Sequence, residues 1–72
     1  MSDGYSSDVA GLTPLMVAVL RCGSRGLSIG ETARELHIAE TTVVDVRRGA
    51  RRRLEARNFV AAVYTASRRG DL

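Results

Sequence analysis

Seventy-two residues form one small domain at most, and so short a chain has no room for a deep catalytic cleft, so no enzymatic activity is expected. Hydrophobic residues make up 44% of it, with only three aromatics and one proline, a composition that suits aliphatic helix packing and predicts an all-α fold. The net charge of +3 is modest but unevenly spread: six arginines against two acids give residues 41–57 a net +4, while residues 1–20 carry −2.

Residues 1–11 are rich in Ser, Asp and Gly without apolar periodicity and read as a flexible tail, which leaves 12–72 as the domain. Thr13-Pro14 is a helix start, because the threonine oxygen can cap free N–H groups and proline at the first position needs no donor. This first helix is predicted to run to about Ser24, with Leu15, Val19 and Cys22 on one face and Gly26 closing it. Its apolar run, Leu15 to Leu20, is far too short to span a membrane, and the N-terminus lacks the pattern of a signal peptide. Cys22 has no partner for a disulfide or a zinc site, so a cytoplasmic protein without metal or cofactor is expected, and the spacing makes Cys22 a buried thiol.

Ser28-Ile29-Gly30-Glu31 is a capping box that opens a short second helix with Ile29, Ala33 and Leu36 as its apolar stripe. The pattern breaks at His37-Ile38-Ala39 and resumes at Glu40, the spacing of a helix-turn-helix; His37 reads as a turn residue that tolerates positive φ, not as a catalytic group. The third helix, about Glu40 to Leu54, buries Val43, Val46, Ala50 and Leu54. With Val43 at zero on a helical wheel, Val44, Asp45, Arg48 and Arg52 fall between about 100° and 200°, away from the core. Arg47, Arg51 and Arg53 lie on the flanks. An outward edge that can touch bases, walled by arginines that can touch phosphates, is the layout of a DNA recognition helix.

Together with this spacing, Gly11-Leu12-Thr13-Pro14, Arg25-Gly26-Leu27-Ser28, Glu31-Thr32-Ala33-Arg34-Glu35-Leu36-His37-Ile38 and Thr41-Thr42-Val43 resemble the LuxR/GerE-type helix-turn-helix. Arg53-Leu54, Arg57-Asn58, Ala61-Ala62-Val63 and Arg69-Gly70-Asp71-Leu72 extend the resemblance to the end of the chain. It implies a four-helix domain whose third helix enters the major groove and whose fourth forms a dimer interface. Members of that family usually carry glutamate, serine, lysine, histidine and asparagine where this chain has Met16, Ala39, Val44, Val46 and Gly49. Alanine at 39 removes the usual cap of the third helix unless Thr41 or Thr42 compensates, and glycine at 49 suggests close packing of a neighbour.

Asn58 is placed to cap a fourth helix that Gly70 ends. Phe59, Ala62, Val63 and Ala66 form its inward stripe, which leaves Val60 and Tyr64 outward as a candidate homodimer contact. The sequence therefore predicts a small transcriptional regulator, without a sensor domain, that binds double-stranded DNA. Val44, Asp45 and Arg48 are its candidate base contacts, and Arg47, Arg51, Arg52 and Arg53 its phosphate contacts. The alternative is a protein-interaction adaptor that sets the basic helix against RNA polymerase or a sigma factor. RNA binding is disfavoured by the shortage of aromatic platforms.

Overall fold

Capping decides where each helix begins. In the computed structural model, which describes residues 11–72, α1 (Pro14–Ser24) starts with Thr13 Oγ1 accepting from the Met16 N–H at 3.1 Å. The capping box forms at α2 (Ile29–Leu36): Ser28 Oγ accepts from the Glu31 N–H at 3.1 Å, and Glu31 Oε1 accepts from the Ser28 N–H at 2.8 Å. The backbone N–H of Ser28, and after it its hydroxyl, hold the Glu31 carboxyl below the usual carboxylate range. After α3 (Glu40–Arg53), α4 (Phe59–Arg68) starts with Asn58 Oδ1 accepting from the Ala61 N–H at 2.8 Å. No strand occurs among the described residues, so this part of the chain is all-α with four helices. The tail expected at 1–11 lies outside the described residues except for Gly11.

The four helices also end in one way. A residue with positive φ follows each of them: Gly26 at 81°, His37 at 57°, Glu55 at 53° and Gly70 at 81°. The next residue then donates back to a carbonyl in the last turn, Leu27 to Cys22 at 3.1 Å, Ile38 to Ala33 at 3.0 Å, Ala56 to Arg51 at 2.9 Å and Asp71 to Ala66 at 2.9 Å. This Schellman closure satisfies carbonyls that the helix leaves free and turns the chain sharply. It also directs the residue after the left-handed one inward. Leu27, Ile38 and Ala56 are accordingly half-buried, and Asp71, in the same position, is buried with its carboxylate 3.4 Å from Arg69 Nε.

The core forms two clusters. Leu12, Leu20, Ala50, Leu54, Ala62 and Ala66 fill the space between α1, α3 and α4, while Val19, Ala33 and Val43 join α1, α2 and α3. Val46 is half-buried at the edge of the second cluster, and Cys22 is a buried thiol. Leu15 departs from the expected face. It is aligned with Val19 and Cys22 on the wheel, yet it stands in the first turn of α1, at the end of the bundle, and remains 37% exposed. Leu12 and Met16 supply the apolar contacts at that end.

Two glycines allow helices to approach closely. A Cβ at Gly23 would stand 2.5 Å from Phe59 Cε2 and 3.1 Å from Val63 Cγ2, so α4 lies directly on the α1 backbone there. A Cβ at Gly49 would meet only the terminal methyl of Met16, at 2.9 Å, the close neighbour that its sequence suggests. Gly23→Ala should therefore destabilise by roughly 1–3 kcal/mol, because the rigid ring must move, although alanine is the better helix former by about 1 kcal/mol. Gly49→Ala, opposed by a flexible side-chain end, should stay within about 1 kcal/mol of the native chain. Urea unfolding followed by circular dichroism compares the two, and a Gly23→Ala midpoint equal to the native one would contradict the close approach.

Candidate nucleic-acid interface

The tripeptide His37-Ile38-Ala39 joins α2 to α3, with His37 in the left-handed region at φ 57° and ψ 45°. Because Val43 and Ala50 are buried against the rest of the fold, the opposite edge of α3 is presented to solvent. Thr41, Val44, Asp45, Arg48 and Arg52 form this edge and are all exposed. An ion pair lies at its centre: Arg48 Nη1 donates to Asp45 Oδ1 at 3.2 Å, one turn away on the same face.

The arginines beside this edge are held by the fold. Arg47 is half-buried with its guanidinium 3.8 Å from the centroid of the Phe59 ring, a cation–π contact worth about 0.5–2 kcal/mol. Partial burial lowers the pKa of Arg47, which leaves an arginine fully charged at neutral pH. Arg51 Nη1 donates to the Arg57 carbonyl at 3.1 Å and so ties the end of α3 to the loop before α4. Arg47, Arg48 and Arg51, with Val44, Ile29, Asn58 and Phe59, line an open groove of about 270 Å³ between α3 and the start of α4. Among the described residues, no acidic side chain lines it. Three guanidinium groups beside the positive end of a helix dipole make a surface suited to phosphate oxygens.

The fold thus gathers Val44, Arg47, Arg48 and Arg51 around one groove and sets Asp45 and Arg52 on the adjoining edge. Arg53 stands apart: its guanidinium donates to the Gly11 carbonyl, ahead of α1. Ile29, Asn58 and Phe59 belong to the groove but were not among the residues that the sequence singled out for it. Asn58 and Phe59 lie at the start of another helix, and only the turn at Glu55 carries them back beside α3. On α4 itself, Val60 is 78% exposed and Tyr64 62% exposed, so the tyrosine ring does not lie over its own core. Arg68 Nη1 donates to the Tyr64 hydroxyl at 3.2 Å and borders this apolar pair.

Among the described residues, no cluster of His, Cys, Asp and Glu could hold a metal ion, and no helix is long and apolar enough to cross a membrane. No known family model matches the sequence, and no curated protein matches it either.

The N-terminus of α3 is the one start without a side-chain cap. Ala39 has the extended geometry of a cap residue, φ −70° and ψ 151°, but contributes no hydrogen bond, and neither Thr41 nor Thr42 supplies one. Ala39→Ser should consequently stabilise the fold by about 1 kcal/mol. A thermal midpoint unchanged or lowered in this variant would show that the free N–H groups of α3 are already satisfied.

Proposed function

We propose that this chain is a helix-turn-helix module of the LuxR/GerE type that binds double-stranded DNA sequence-specifically and regulates transcription in the cytoplasm, without catalysis. The observation that carries this reading is the two-sided character of α3. One edge is buried through Val43 and Ala50; the other exposes Val44, Asp45, Arg48 and Arg52, and its flank is a groove lined by arginines. The capped α2 and the three-residue turn hold α3 in this attitude. With α3 in the major groove, Arg48 is suited to the paired acceptors of guanine and Val44 to a thymine methyl. Arg47 and Arg51 meet phosphates along the flank, Arg52 meets one from the last turn of the exposed edge, and Arg53 meets one from the opposite side.

Binding by four arginines releases condensed cations, so affinity for duplex DNA should fall roughly a hundredfold per copy of the chain between 50 and 200 mM salt. Arg48→Ala should relax preference at one base pair, with a loss of about 1–3 kcal/mol on the selected site, whereas Arg52→Ala should weaken all duplexes alike. Titration of labelled duplexes recovered from a random pool measures both. Absence of duplex binding, or a response flat in salt, would refute the reading.

The same reading includes a two-fold dimer on DNA. A single short helix covers few base pairs, and a symmetric pair doubles the sequence that is read. Val60 and Tyr64, exposed one turn apart on α4, offer a self-complementary apolar contact. Because the patch is small, pairing depends on the high local concentration that DNA provides. In sedimentation of the complex, the native chain should bind its operator as two copies and Tyr64→Glu as one; one native copy per operator would exclude the dimer.

A further inference from the structure

Among the charged side chains of α3 beyond its first turn, Asp45 is the only acid; all the others are arginines. A carboxylate on an edge that faces a polyanion weakens binding to every duplex, so general affinity gives no reason for it. Its position gives another. Asp45 Oδ1 accepts from Arg48 Nη1 at 3.2 Å, and both side chains are open to solvent, at 73% for Asp45 and 54% for Arg48. In free solution such a pair adds little. Between protein and DNA, with water displaced, it would strengthen and hold the guanidinium in one orientation.

We infer that Asp45 is a positioning and specificity-determining residue: it fixes Arg48 for one base and excludes sites that offer no amino donor to its own second oxygen. This rests on α3 being the DNA-facing helix. With Nη1 engaged by Asp45, the remaining donors of Arg48 are aimed at the O6 and N7 acceptors of a guanine. Oδ2 of Asp45 has no hydrogen-bond partner among the described residues and can accept only from an amino group, that of cytosine or adenine. A guanine or thymine there presents oxygen against oxygen and is rejected. The pair therefore reads two positions jointly, and the acid narrows the set of sites while lowering affinity for all of them.

The test uses the full chain and a random duplex pool, with Asp45→Asn, Asp45→Glu, Arg48→Ala and the double variant Asp45→Asn/Arg48→Ala. Since residue 45 is exposed, all should keep the native helical spectrum. For Asp45→Asn, affinity for unselected duplex should rise severalfold, and discrimination between selected and unselected duplex should fall about tenfold, the loss extending to the base that Arg48 reads. Asp45→Glu should restore weak binding to unselected DNA, because the charge returns, but not the native base preference, because the carboxylate is displaced by one methylene. In the Arg48→Ala background, Asp45→Asn should no longer change preference at the Arg48 position. If Asp45→Asn selects the native motif with native discrimination, or weakens selected and unselected duplex equally, the inference is overturned while the DNA reading stands. If the native chain binds no duplex, the reading of α3 fails first and this inference with it.

Discussion

Phe59 sits where the elements that build the candidate interface meet. Its ring packs against both core clusters, lies on the bare backbone of α1 at Gly23, and carries the Arg47 guanidinium on its face. Among the described residues it is the one side chain packed against both clusters, and the aromatic ring of the described Tyr64 is exposed. The seat of Phe59 depends on what is missing from its neighbour, because a methyl group on residue 23 would displace the ring and, with it, the start of α4. The orientation of the arginine flank is thus coupled to the contact between α1 and α4 on the far side of the ring.

The remainder of the fold works with little material. Among the described residues, only Leu12, Leu20, Val19 and Val43 are large and fully buried, and alanines at 50, 62 and 66 fill the closest contacts. A core this small contributes limited hydrophobic stabilisation, so the helix ends carry more of the specification than in a larger domain. Three starts have side-chain caps, and four ends share one closure built on a left-handed residue. Where that closure directs Asp71 inward, the chain buries a carboxylate beside Arg69 instead of an apolar side chain, an arrangement that lowers stability relative to a hydrophobic residue of similar size.

Features set by short-range chemistry were legible in the sequence. The capping box at Ser28, the proline start, the Asn58 cap and the left-handed His37 follow from side chains acting on backbone three or fewer residues away. The outward edge of α3 was legible for a related reason: helical periodicity sorts Val43 and Ala50 from Val44 and Arg48 without reference to any neighbour. Glu55 was not, since a glutamate carries no signal for positive φ and takes it because Ala56 closes onto Arg51. Contacts between distant segments were equally hidden. Arg47 on Phe59, Arg53 on Gly11 and Gly23 under Phe59 join residues 12, 42 and 36 positions apart in the sequence, and periodicity gives a direction on a helix but no partner. Gly49 was read halfway: its sequence pointed to a close neighbour, and the fold supplies Met16.

Those long-range contacts change what the positive charge of α3 means. From composition, six arginines between residues 41 and 57 look like a mobile cationic brush. In the fold Arg47 is stacked and Arg51 and Arg53 are each bonded to a carbonyl, so three of the six have defined orientations before any ligand arrives, while Arg48 faces Asp45 in a solvent-exposed pair. Arginine retains unused donors after one such bond, so being held does not exclude contact with a phosphate or a base. Ordering a long side chain on binding costs about 0.5–1.5 kcal/mol, and side chains already ordered avoid most of that loss. A short helix on a small domain has few contacts to offer, and fixing its arginines in advance makes each of them more selective in direction than a free charge would be.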